Sequence, residues 1–276
     1  VKSVGIFYHP LIEATQTKAK QLQDLLASHG ISAWRCSAWE GETARAKLDD
    51  TDLVLSVGGD GTILRSAQAV VPRMTPIIGI NLGKLGFMTE LSADEAADRL
   101  PALLSGEGWI DERTMLQAEF SPDGQETSTY HALNDVVVAR GAVARLVRVA
   151  ASVNGKHLAD YKADGVIAAT ATGSTAYSLA AGGPILYPHS KDFVLLPIMP
   201  HLSPAYALVL PAETVVQLTI TAPHQATFSI DGYINMPIPG RAIITVQQSP
   251  HRTRFLRIHP EDAFYRSLEQ KLKGKR

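Results

Sequence analysis

The strongest constraint on how this chain can fold is a change in its hydrophobic period near Arg113. Before that point, strand-like and helix-like patterns alternate. Val4 to Tyr8 is a short apolar run. Leu22, Leu25 and Leu26 then mark one face of a helix that ends near Gly30. Leu53 to Val57 predicts a second strand, Ile63 to Val71 a helix, and Ile77 to Ile80 a third strand. Ser92 and Glu95 have capping-box spacing ahead of Ala96, Ala97, Leu100, Leu103 and Leu104. Such alternation predicts a parallel sheet covered by helices.

After Arg113 the runs become short and β-rich: 136–138, 146–153, 166–169, 193–196, 215–221, 227–230 and 243–246. Gly, Pro, Asn and Asp separate them, which predicts an antiparallel sandwich or stacked sheets. One short helix, Ser174 to Ala181, is stopped by Gly182-Gly183-Pro184. A terminal helix is expected over Glu261 to Lys273. The basic tail from Lys271 to Arg276 reads as a solvated, frayed end.

With 276 residues, 45% of them hydrophobic and 19% charged, the chain can build two globular domains. Its formal charge is −1 and no Lys/Arg run crosses its body, so nucleic acid is not the expected partner. Cys36 is the sole cysteine, which excludes an internal disulfide and a cysteine-rich metal site. Val1 to His9 reads as a strand rather than a leader, and no apolar run approaches the roughly 18 residues of a membrane span. The expected location is the cytoplasm, away from membranes. The spacing of the nine histidines, His201, His224 and His251 among them, defines no metal site, so metal ligands are left unassigned.

Two segments carry chemistry. Gly58-Gly59-Asp60-Gly61-Thr62 joins a strand to a helix, where glycines and free N–H groups cradle phosphate. Asp60 is unexpected there, because a carboxylate repels phosphate. It accepts a proton, holds Mg²⁺, or merely caps the helix. The loop is neither a Walker A motif nor a Gly-x-Gly-x-x-Gly fingerprint. The second segment, Thr170 to Ser178, places five hydroxyls and Tyr177 around a helix start. They read a nucleoside, or they form an elaborate cap. Lys162 and Asp164 precede that strand, and Asn134-Asp135 enters the strand before it. Asn can pair with an adenine edge and Asp with sugar hydroxyls.

Jointly these elements resemble the NAD kinase family. The resemblance rests on Gly58-Gly59-Asp60-Gly61-Thr62, Leu133-Asn134-Asp135 and Thr172-Gly173-Ser174-Thr175-Ala176-Tyr177-Ser178 running into Ala181-Gly182-Gly183-Pro184. The run Gly79 to Phe87, Asp164-Gly165 and Asp231-Gly232 support it. Two positions depart from the family pattern: Asp135 stands for Glu, and Ala171 for Pro.

The resemblance implies an α/β plus β fold: an N-terminal Rossmann-like α/β domain (residues 1–113), rejoined by segment 258–276, and a C-terminal antiparallel β-sandwich-like domain (residues 114–257). It also implies an active site between the domains, and a homodimer or homotetramer whose partner completes the NAD pocket. The implied substrates are NAD and a phosphoryl donor, ATP with Mg²⁺ or polyphosphate. Asp60 is the implied catalytic base, and Gly58, Gly59, Gly61 and Thr62 the donor loop. Asn134, Asp135, Thr172, Thr175, Ala176, Tyr177, Ser178, Leu179, Ala180 and Tyr233 are implied NAD contacts. Asp164 is assigned to the nicotinamide end, Arg65, Arg145 and Lys162 to phosphates, and Phe87 with Met88 to an apolar wall for adenine. A lipid kinase with the same glycine loop and a non-catalytic dinucleotide sensor are the competing readings.

Overall fold

The computed structural model describes residues 1–83, 86–141, 145–221, 226–238, 240–261 and 263–273. Lys84 and Leu85 of the Gly79–Phe87 run, and His224, lie outside the described residues. Along the chain the elements run β1 (Ser3–Tyr8), α1 (Glu13–Ser28), β2 (Ser32–Ser37), α2 (Gly41–Arg45), β3 (Leu53–Val57), α3 (Asp60–Val70), β4 (Ile77–Asn81), β5 (Leu91–Ser92) and α4 (Ala93–Leu104). Next come β6 (Trp109–Pro122), β7 (Ser128–Ala132), β8 (Asp135–Arg140), β9 (Val147–Val153), β10 (Lys156–Ala163), β11 (Gly165–Ala169) and α5 (Tyr177–Ala180). The last are β12 (Phe193–Ile198), β13 (Leu208–Leu210), β14 (Val216–Thr221), β15 (Ala226–Ile230), β16 (Ile234–Ile238), β17 (Arg241–Arg257) and α6 (Ala263–Lys273). The chain divides into two compact units, Val1–Arg113 with Arg252–Arg276, and Thr114–His251.

In the first unit, β1 pairs in parallel with β2 on one side and β3 on the other, and β3 pairs with β4. Phe255 of β17 joins the far side of β4, opposite Ile77. The strand order therefore reverses at β1 and β3, the switch point where open α/β sheets bind ligands beyond their carboxyl ends. Interior strands β3 and β4 are buried along their whole length, which explains their unbroken apolar runs. β2 lies at the sheet edge and is half-exposed, so its polar sequence Ser-Ala-Trp-Arg-Cys-Ser carries no such signal. α1 buries Ala19, Leu22 and Leu26. α4 starts on the predicted capping box: Ser92 accepts the Glu95 N–H, and Glu95 accepts that of Ser92.

In the second unit, β13-β12-β11-β8-β15-β16 form one antiparallel sheet. A second contains β10-β9-β14-β17, with β6 pairing β7. Val136, Val138, Val166 and Ala168 of the first sheet share a core with Val149, Leu218 and Ile244 of the second. The alternate residues Val137, Ile167, Val194 and Leu196 form a separate cluster on the opposite face. Both faces of the central strands are therefore covered, which is why they read as continuous apolar runs. No helix among the described residues is long and apolar enough to cross a membrane.

Candidate active site

The glycine loop follows β3 at the switch point. The N–H of Gly58 donates to the Ile80 carbonyl at 2.9 Å, and that of His9 to Val57 at 3.2 Å. A side chain at Gly58 would collide with the Thr62 hydroxyl. A methyl group added at Gly59 or Gly61 would meet nothing within 4 Å, so the outer side of the loop is open to a ligand. Thr62 closes the first turn through its N–H to Gly59 at 2.9 Å. Among the described residues, the N–H groups of Asp60 and Gly61 have no backbone acceptor, as expected at the first turn of a helix.

Asp60 does not cap α3. The N-cap position is Gly59, without any side-chain cap bond. The carboxylate instead reaches the 86–88 segment, accepting the N–H of Phe87 at 2.9 Å and of Met88 at 3.1 Å. Gly86 is required by this contact, because a Cβ there would occupy the position of the Asp60 carboxylate. Each oxygen keeps a further lone pair for a ligand hydroxyl. Met88 is 2% exposed, which places its side chain in the core. Arg65, expected near phosphate, lays its guanidinium over Trp39, 4.2 Å from the ring centroid.

The second unit holds a cavity of about 470 Å³, bordered by Asn134, Asp135, Arg140, Ala176, Tyr177 and Asp231 among others. Its floor is the polar face of β15, Thr227 and Ser229, whose alternate residues Phe228 and Ile230 enter the core. Asn134 and Asp135 are buried, and the Asn134 Oδ1 has no hydrogen-bond partner among the described residues. Burial, reinforced by the neighbouring charge of Asp231, pushes the Asp135 carboxyl up to about 7. Asp231 holds the strand entry in place: it accepts the N–H groups of Leu133, Asn134 and Asp135 at 3.1, 2.7 and 3.2 Å. Asp231 and Gly232 both have positive φ, as a tight Asp-Gly turn requires.

Residues 5–108 match the ATP-NAD kinase N-terminal domain, and residues 133–258 match the ATP-NAD kinase C-terminal domain. The chain belongs to the NAD kinase family. It is 48% identical to an NAD kinase of Dehalococcoides mccartyi over 274 residues, covering 99% of this chain and 96% of that one. It is 37% identical to an NAD kinase of Chloroflexus aggregans, covering 99% of both chains. Among solved structures it resembles an NAD kinase from Archaeoglobus fulgidus in complex with ATP (TM-score 0.78, 25% identity, 99% of each chain). The yeast NADH kinase complexed with NADH shares the fold (TM-score 0.88, 24% identity, 99% of this chain and 88% of that one).

Against this family background, the structure sorts the remaining residues named from sequence. Asn134, Asp135, Ala176 and Tyr177 meet around one cavity. The hydroxyls of the Thr170–Ser178 segment are largely spent internally: Thr170 on Leu133, Ser174 on Ala171, and Thr175 on Thr172 at 3.3 Å. The expected single helix there is a 3-10 turn, Gly173–Thr175, followed by α5, with Ala176 breaking the helical dihedrals. Gly173 is packed so tightly on Asn134 that a side chain would overlap its backbone. Ser178 is buried, and its hydroxyl has no partner among the described residues. Thr172 is buried, Leu179 half-buried, Ala180 exposed, and Tyr233 half-buried in the Asp231 turn. Asp164 pairs with Arg140 at 3.0 Å, while Lys162 and Arg145 are exposed. Arg140 and Asp231 border the cavity but were not singled out as site residues from sequence. Asp231-Gly232 is a dipeptide typical of tight hairpins, a signal that could have found Asp231, whereas nothing local marks Arg140.

Proposed function

We propose that this chain transfers the γ-phosphoryl group of ATP to the 2′-hydroxyl of the adenosine ribose of NAD, forming NADP and ADP. The observation that carries this reading is the Asn134–Asp135 pair on the cavity wall. A buried amide oxygen without a partner among the described residues calls for a ligand N–H, as an adenine amino group provides. A buried carboxyl beside it suits ribose hydroxyls. Tyr177, 46% exposed at the cavity edge, offers a ring for the nucleoside.

Asp60 takes the proton of the attacking 2′-hydroxyl. The O2′–Pγ bond forms, the bond from Pγ to the bridging oxygen breaks, and ADP leaves with the electron pair. The open N–H groups at the start of α3 hold donor phosphates, and positioning of this kind supplies most of the catalysis in phosphoryl transfer. The ATP complex of the Archaeoglobus fulgidus relative supports ATP as donor. Mg²⁺ enters with the donor as MgATP; among the described residues no cluster of three or more His, Cys, Asp or Glu side chains could hold it alone. We place the enzyme in the cytoplasm as a homo-oligomer, which light scattering on the purified protein tests.

Purified protein with NAD and MgATP, read by an NADP-specific dehydrogenase, should generate NADP. Asp60→Asn should lower turnover by about 100-fold or more while NAD affinity changes little. Near-normal turnover in that variant would remove Asp60 from the role of base. Transfer to diacylglycerol or sphingosine vesicles in place of NAD would favour a lipid kinase, and NADP binding without turnover a sensor.

A further inference from the structure

Lys271 belongs to the basic tail that reads, in sequence, as a solvated end. In the structure it is half-buried on α6, and its Nζ lies 5.8 Å from the centroid of the Phe87 ring. Phe87 is the residue whose N–H donates to Asp60. Lys271 therefore sits within the first unit beside the segment that orients the loop carboxylate.

A half-buried ammonium is costly unless a counter-charge accompanies it. Among the described residues, the acidic groups that act on Lys271 are Glu90 and Asp60, and both bond other groups. Glu90 accepts from Arg257, from the N–H groups of Ile258 and His259, and from the His259 ring. Asp60 is bonded to the 86–88 backbone. No carboxylate among the described residues stands within ion-pair distance of Lys271. Burial lowers its pKa, and Arg257 acts in the same direction, while Asp60 and Glu90 oppose the shift. The result is a cation held beside the Phe87 segment, with no carboxylate among the described residues at ion-pair distance.

We infer that Lys271 binds a phosphate oxygen of the nucleotide at the Asp60 loop, so that the C-terminal helix completes the phosphate site. This rests on the kinase reading above. Two phosphates share the required chemistry: the terminal phosphate of the donor and the 2′-phosphate of the product.

Lys271→Met keeps an unbranched apolar side chain at this position and removes the charge; Lys271→Arg keeps the charge. If the donor phosphate is the ligand, Lys271→Met raises KM for MgATP by about tenfold or more and leaves KM for NAD within about twofold. If the product phosphate is the ligand, the same variant weakens NADP inhibition by about tenfold while NAD binding is unchanged. In either case Lys271→Arg recovers most of the loss, and the melting temperature of Lys271→Met stays at the wild-type value. Unchanged MgATP and NADP parameters in Lys271→Met would overturn the inference. So would equal losses in both variants with a lowered melting temperature, which would make the residue a packing element. Tripolyphosphate binding, measured by calorimetry on the full-length protein, separates this inference from the kinase reading. Weakened binding in Lys271→Met supports the phosphate site even if the wild-type protein makes no NADP, and unweakened binding counts against it.

Discussion

The guanidinium of Arg257 donates to the carbonyl of Met88 at 2.8 Å, across 169 residues of chain. The N–H of the same Met88 donates to Asp60, so β17 supports the segment that orients the loop carboxylate. Arg257 also bonds Glu90 at 3.1 Å and Asp111 at 3.0 Å, all three side chains being nearly inaccessible to solvent. Removing the cation would take one guanidinium from each of two buried carboxylates, although Asp111 keeps Arg113 and Glu90 keeps the Ile258 and His259 donors. Arg257→Met should therefore cost about 1–3 kcal/mol of stability in urea unfolding. A loss below about 1 kcal/mol would mean the cluster does not hold this region together.

The Asp111 carboxyl also sets an acid limit. Burial alone would raise its pKa, but the guanidinium groups of Arg113 and Arg257 prevail and hold it at about 2, from an ordinary 3.8. The folded-state value is depressed, so its stabilisation is fully present above about pH 4 and is lost as the pH falls through about 2. The amount at stake is on the order of 2 kcal/mol. Urea unfolding between about pH 5 and about pH 2 should show this loss, with a smaller slope in Asp111→Asn.

Gly86 gives a cleaner test of Asp60 orientation. Its missing side chain leaves the space that the Asp60 carboxylate occupies. Gly86→Ala should displace that carboxylate, cost about 1–3 kcal/mol of stability, and lower kcat more than it raises KM for NAD. Wild-type kcat in a folded Gly86→Ala protein would show that the observed Asp60 geometry is dispensable.

Asp135 predicts a pH response of the opposite sign. Burial and Asp231 raise its folded pKa from 3.8 to about 7. The associated stability is present below about pH 4, is lost as the pH rises to about 7, and stays level above that. If the ionised carboxylate accepts ribose hydroxyls, NAD binding should tighten from about pH 6 to about pH 8. Calorimetric titration of NAD at both pH values checks this, and Asp135→Asn should abolish the difference.

The sequence revealed most where the signal is local. The glycine loop was legible because its strand, glycines and helix are contiguous, and the cap of α4 because Ser92 and Glu95 lie three residues apart. Edge strands were missed for a physical reason. β2 and β16 are each covered on less of their surface, so they are not uniformly apolar, and β16 even tolerates Pro237. The hydroxyls of the Thr170–Ser178 segment looked ligand-facing by composition, yet those of Ser174 and Thr175 turn back to local carbonyls and that of Thr170 to the distant Leu133, a choice that residue type alone does not reveal.

By itself the sequence determined the two kinds of secondary structure and the place where one gives way to the other, because hydrophobic period and turn residues act over a few positions. The tertiary structure decided which groups meet. Asp231 reaches Asn134 across 97 residues, and Lys271 comes to lie by Phe87 at the far end of the chain. Such contacts follow from strand order and helix docking, which are set by burial summed over the whole core and leave no mark at either residue alone.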